Sequence, residues 1–130
     1  MQKDDEAGAW RNLRVIIIED EALVVMLLED MLTEIGCRVV GLASHLDQAI
    51  ELASSADADF AILDVNLDGQ EAYPVAERLS ARGMPFVFAT GYGHPGMRYG
   101  LDERPALQKP FRLEDLRRAI AEAMGGEGKS

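Results

Sequence analysis

Basic residues are scarce in this chain: 13 lysines and arginines stand against 23 aspartates and glutamates, a formal net charge of −10 over 130 residues. Affinity for nucleic acid comes mainly from lysine and arginine neutralising phosphates, so this balance argues against a nucleic-acid binder and favours a cationic or metal-containing partner. Cysteine is nearly missing too. Cys37 is the only one, which excludes an internal disulfide, and its place just before an apolar run marks it as a small buried thiol. The two histidines, His45 and His94, are isolated from each other and from Cys37, so neither builds a metal site; His45 reads as a helix start and His94 as part of a loop. No apolar run approaches the ~20 residues that span a bilayer, and no basic region followed by an apolar core opens the chain, so no membrane contact is expected and the cytoplasm is the expected compartment. The length fits one domain with one core.

What is present is an alternation of short apolar runs and amphipathic stretches. Residues 1–12 form a polar tail, in which Trp10 alone offers something to pack. Leu13 to Ile18 is β-branched and almost uninterrupted, which predicts a central strand covered on both faces. From Ala22 to Ile35 the residues Val24, Leu27, Leu28, Met31, Leu32 and Ile35 follow helical spacing, and Gly36 supplies the left-handed stop. Leu23, Val25 and Met26 add apolar surface beyond that stripe, either as a wide core face or as a face for a partner. Cys37 to Leu42 reads as a second strand, and Ser44 with Asp47 resembles a capping pair opening a second helix that runs to Ala56.

Ala58 to Leu63 predicts a third strand that ends at Asp64, followed by a loop from Val65 to Glu71. Pro74 suits the first turn of a third helix, which stops at Gly83. Pro85 to Ala89 is a fourth strand ending at Thr90. Beyond it, Gly91, Gly93, Pro95, Gly96 and Gly100 leave little room for a regular helix, and a mobile segment is expected there. Ala106 to Gln108 is a brief fifth strand before Lys109 and Pro110, and Leu113, Leu116, Ile120, Ala123 and Met124 define a terminal helix. The domain is thus expected over residues 13–124, with residues 125–130 a flexible tail.

Alternating strands and helices with short links predict an α/β, doubly wound, five-stranded parallel sheet, (βα)5, with every strand's carboxyl end on one edge. Four of those ends carry polar chemistry: Glu19 and Asp20 after the first strand, Asp64 after the third, Thr90 after the fourth, Lys109 after the fifth. Singly, each has an ordinary role as a helix-capping acid, a turn residue or a solvated cation. Together they converge on one crevice, where three carboxylates repel one another until a hard divalent cation, magnesium above all, neutralises them. Beside such an ion Asp64 is placed to act as a nucleophile toward phosphorus. Thr90 then donates to a phosphoryl oxygen and Lys109 supplies the second cation.

These residues resemble the receiver domain of two-component response regulators, and the resemblance runs from about Leu13 to Met124. It implies a flavodoxin-like fold and makes Asp64 the phosphoacceptor. Glu19, Asp20, Asp64 and the Asn66 backbone carbonyl would be the ligands of Mg2+, Thr90 the switch hydroxyl, Lys109 the phosphoryl-binding lysine, and Lys109-Pro110 a cis peptide. The phosphoryl donor would be a histidine kinase or a histidine phosphotransfer protein, with Leu23, Val25 and Met26 as its docking face and a further protein downstream.

Two departures from the usual pattern stand out. Ala106 occupies the position where receivers place a switching Tyr or Phe, and the loop after Asp64 is short, with no proline at position 68. Both features, with Phe88-Ala89-Thr90-Gly91-Tyr92-Gly93, resemble the FAT GUY receivers, which are often stand-alone and work with HWE-type histidine kinases. Without an aromatic to flip, phosphorylation is expected to act by ordering residues 91–104.

Two other readings share some of these residues. Asp64-Val65-Asn66-Leu67-Asp68 has the look of the nucleophile motif of a small Mg-dependent phosphohydrolase, but that motif requires an aspartate where Asn66 stands. A degenerate receiver that only binds proteins would fit Ala106 and leave the acidic cluster unexplained.

Overall fold

The computed structural model describes residues 10–90 and 106–124. Its elements in chain order are β1 (Arg14–Ile18), α1 (Ala22–Ile35), β2 (Arg38–Ala43), α2 (Leu46–Ser55), β3 (Phe60–Asp64), a short ribbon of β4 (Asn66–Leu67) and β5 (Gln70–Glu71), α3 (Tyr73–Arg82), β6 (Phe86–Thr90), β7 (Ala106–Gln108) and α4 (Leu113–Ala123). Five strands form one sheet in the order β2-β1-β3-β6-β7, with every neighbouring pair parallel. This is the doubly wound, flavodoxin-like arrangement, in which the crossover direction reverses beside β1 and opens a crevice at the carboxyl ends of the strands.

The alternation within β1 divides the core. Val15 and Ile17 face Leu28 and Leu32 of α1 and Leu116 and Ile120 of α4. Ile16 and Ile18 face the other way, onto Ala49 and Ala53 of α2 and Val75 and Leu79 of α3. Trp10 packs against the α1/α4 side, which ties the end of the polar segment to the domain. Gly36 ends α1 with a φ of 108°, its N–H reaching the carbonyls of Leu32 and Thr33, a geometry a side chain would strain. Pro74 lies in the first turn of α3, where a missing N–H costs nothing.

Three local expectations are corrected. Ser44 and Asp47 do not cap α2: the extended residue before the helix is His45, which makes no side-chain cap bond, and this one-residue offset takes the Ser44–Asp47 spacing out of frame. Asp47 still lies in the first turn, where its charge suits the helix dipole. The stretch from Val65 to Glu71 is more than a loop, because β4 and β5 pair antiparallel across a turn with positive φ at Asp68 and Gly69. Asp-Gly is the dipeptide such a tight hairpin demands. Leu27 is 42% exposed, so the core stripe of α1 is narrower than its periodicity suggests.

Cys37 is a free, buried thiol, and burial pushes its pKa up to about 11. Since the thiolate is the nucleophile, native protein at pH 8 should react with iodoacetamide at least tenfold more slowly than urea-unfolded protein, as followed by intact mass. Equal rates would show that the thiol is accessible. Among the described residues no helix is long and apolar enough to cross a membrane. The glycine-rich segment expected to order on phosphorylation, His94 included, lies outside the described residues.

Candidate functional site

The strands deliver their polar ends to one edge, as their order requires. Glu19 follows β1 and is buried, its N–H donating to the Ala43 carbonyl at the end of β2. Glu19 Oε2 accepts the Glu21 N–H at 3.1 Å, while Oε1 is buried with no hydrogen bond and is ion-paired with Lys109 Nζ at 3.3 Å. Asp64 closes β3, which runs between β1 and β6; its Oδ1 accepts the Asn66 N–H at 3.1 Å and its Oδ2 lies 3.4 Å from Lys109 Nζ. Asp20 is exposed, and its Oδ2 accepts the Asp68 N–H at 2.7 Å. The hairpin turn thus reaches over to hold one of the acids.

Thr90 is buried at the end of β6, where its carbonyl accepts the Lys109 N–H at 2.8 Å and joins the ends of β6 and β7. That bond carries Lys109 to the crevice from the far strand. The Lys109-Pro110 bond is cis. Asn66 sits on the ribbon two residues past Asp64, and its side-chain oxygen accepts the Gly69 N–H at 2.8 Å, closing the turn.

Electrostatics reflect the crowding. Burial first, then a shared hydrogen bond with Asp64 and that residue's charge, push the Glu19 carboxyl up to about 8, against the opposing pull of the Glu21 N–H and Lys109. Lys109 shows the converse: burial alone would lower it, but the charges of Asp64 and Glu19 hold the ammonium above its ordinary value. Glu19, Asp20 and Asp64 each offer an oxygen within 4.8 Å of the others. With one buried oxygen of Glu19 lacking a hydrogen bond, this all-carboxylate set fits a hard divalent cation such as Mg2+.

Of the residues singled out in the sequence, Glu19, Asp20, Asp64 and Lys109 therefore meet, with Asn66 and Thr90 joined to them through main-chain hydrogen bonds. One neighbour was not anticipated: Glu21 Oε1 lies 3.3 Å from Lys109 Nζ, across 88 residues of chain. Nothing local in the sequence marks it beyond its place in a run of acids. The Asp68 N–H bond to Asp20 was also missed, although Asp68-Gly69 signals the turn that makes it. Of the apolar residues near the site, Leu23 and Met26 are 79% and 58% exposed, whereas Val25 is half-buried against the core. Val25 and Met26 line a groove of about 420 Å³ that also takes in Glu19, Asp20 and Leu42.

Comparison with known proteins agrees with this geometry. A family model described as the response regulator receiver domain matches residues 15–121. The chain is 34% identical over 119 residues to the transcriptional regulatory protein PdtaR of Mycobacterium tuberculosis, covering 88% of this chain and 58% of that protein. It is 32% identical over 131 residues to the phyllosphere-induced regulator PhyR of Methylorubrum extorquens, covering 92% and 48%. The chain therefore spans only about half to three-fifths of these curated relatives. The solution structure of SdrG from Sphingomonas melonis Fr1 superimposes with a TM-score of 0.78 at 39% identity, covering 89% of this chain and 98% of that one.

Proposed function

Because the chain belongs to the response regulator receiver domain family, we propose that its Asp64 accepts a phosphoryl group from the phosphohistidine of a histidine kinase or a histidine phosphotransfer protein. The observation that carries this reading is the meeting of Asp64 with Glu19, Asp20 and Lys109 at one sheet edge. An Asp64 carboxylate oxygen attacks phosphorus. The phosphorus–nitrogen bond to the donor imidazole breaks, its electron pair stays on nitrogen, and an acyl phosphate remains on Asp64. Lys109, already 3.4 Å from Asp64 Oδ2, neutralises charge on the incoming oxygens, and the Thr90 hydroxyl donates to one of them. Mg2+, when held by Glu19, Asp20, Asp64 and the Asn66 main-chain carbonyl, supplies further neutralisation of the phosphoryl charge. By the same groups the domain catalyses its own phosphorylation from small acyl phosphates and its own dephosphorylation.

The exposed Leu23 and Met26, with Val25 behind them, form the docking face for the donor's helices, beside the groove that opens onto Glu19 and Asp20. The Phe88-Ala89-Thr90-Gly91-Tyr92-Gly93 run, through its resemblance to the FAT GUY receivers, supports a donor of the HWE type. A structure of the BeF3-activated conformation of SdrG supports a phosphoryl-sensing role for a fold this similar.

The test is incubation with Mg2+ and acetyl phosphate followed by intact mass. The wild-type chain should gain one phosphoryl group and Asp64→Asn none. Free phosphate released from diverse monoesters would point instead to a hydrolase, and a chain left unmodified even by its kinase would be a degenerate receiver.

A further inference from the structure

We propose that Glu21 is a positioning residue that competes with the phosphoryl group for Lys109 and so sets how firmly the modified site is held, an inference that rests on Asp64 being the phosphoacceptor. Glu21 occupies the extended position just before α1, where a carboxylate suits the helix dipole and could accept a first-turn N–H. Its side chain makes no such bond. Its main-chain N–H is tied to Glu19 Oε2, and its carboxylate is turned instead to Lys109, at 3.3 Å.

Lys109 is correspondingly undecided. Its Nζ lies 3.3 Å from Glu19 Oε1, 3.3 Å from Glu21 Oε1 and 3.4 Å from Asp64 Oδ2. All three distances exceed the roughly 2.7–2.9 Å of a committed charge-assisted hydrogen bond. Two of the three carboxylates pull inward, since the side chains of Glu19 and Asp64 are 1% and 10% exposed. Glu21, 63% exposed, alone pulls toward solvent. It also lies outside the carboxylate triad that fits a metal ion, so a bound cation would leave its carboxylate facing the ammonium. When Asp64 carries a phosphoryl group, Lys109 must close on the new oxygens, and the bond to Glu21 is the one it gives up. Removing that carboxylate therefore strengthens the hold of Lys109 on the phosphoryl group.

The experiment measures beryllofluoride affinity in the presence of Mg2+ for wild type, Glu21→Gln, Glu21→Asp and Asp47→Asn. Glu21→Gln should bind about threefold more tightly, the size expected for loss of a competing, largely exposed ion pair. Glu21→Asp keeps the charge but is one methylene short of Lys109, so it should behave like Glu21→Gln. Asp47→Asn removes one exposed charge from the first turn of α2 without touching Lys109 or the acidic triad, and should leave the affinity unchanged. The Lys109 ammonium nitrogen resonance should move in both Glu21 variants before any ligand is added, which a purely structural role at the helix start would not produce. If Asp47→Asn tightens binding while Glu21→Asp matches wild type, general repulsion of anions explains the effect and the proposal fails. Equal affinities in wild type and Glu21→Gln also overturn it, leaving the phosphoacceptor reading intact. A wild-type chain that takes up no beryllofluoride removes both.

Discussion

Phe88→Ala is expected to destabilise the folded chain by about 4 kcal/mol, a large share of what a domain of this size possesses. Phe88 is fully buried in β6 on the α2/α3 side of the sheet. Its ring meets Phe86 edge-on, with centroids 5.5 Å apart at 88°, and Tyr73 at 5.9 Å and 60°. Truncation forfeits the transfer energy of the ring, the two edge contacts and the dispersion contacts around the hole it leaves. Neither neighbour can collapse into that hole easily, because Phe86 is held in the same strand and Tyr73 opens α3. Urea unfolding followed by circular dichroism should show a lower midpoint with an unchanged slope, and Phe88→Leu should recover most of the loss. A loss below about 1 kcal/mol would mean that the site repacks freely.

Lys109→Met is expected to cost about 2 kcal/mol in the absence of divalent cation, and most of that cost should vanish when Mg2+ is added. Methionine preserves much of the apolar stem that lines the crevice but removes the Lys109 ammonium that faces Glu19 and Asp64. Breaking a fully buried ion pair costs roughly 3–5 kcal/mol. Two things reduce the figure here. Lys109 is 21% exposed, and the Glu19 carboxyl, already pushed up to about 8, takes a proton readily when its cation is lost. A divalent ion among Glu19, Asp20 and Asp64 replaces the missing charge, and at a hundredfold excess over its Kd contributes about 2.7 kcal/mol. Without the ammonium to compete, the variant should bind Mg2+ more tightly than wild type. Thermal melts with Mg2+ and with EDTA test this, and an equal metal response in both proteins would contradict the role assigned to Lys109.

Most of the sheet was legible from residue order because its central strands β1, β3 and β6 are buried on both faces and read as unbroken apolar runs. β7 appeared where Ala106, Leu107 and Gln108 placed it, and α1 over its full length, because Gly36 gives an unambiguous stop. The site was legible for the same reason: a parallel sheet forces Glu19, Asp64, Thr90 and Lys109 to one edge wherever each strand ends. What escaped depended on side-chain aim rather than on strand order. Glu21 and Lys109 meet through flexible stems from opposite ends of the chain, and no periodicity records that contact. The exposure of Leu27 depends on how α1 is rotated against β1, which an apolar stripe leaves open by a residue. Ser44 and Asp47 have the residue types of a capping pair, yet the helix starts one position later than that pair requires.

The sheet that splits the core also governs how changes in it combine. Among the described residues, those of β1 that point to α1 and α4 belong to one apolar cluster and those that point to α2 and α3 to another. Paired substitutions on opposite sides, Leu28 with Leu79 for instance, therefore act as independent losses whose free energies add, whereas pairs within one side, such as Phe86 with Phe88, couple through a common cavity. For drift in sequence, this gives the domain two separately repairable halves. The exposed surface bearing Leu23 and Met26 can change through substitutions in α1 and α4, while the aromatic packing of Phe86, Phe88 and Tyr73 is left as it stands.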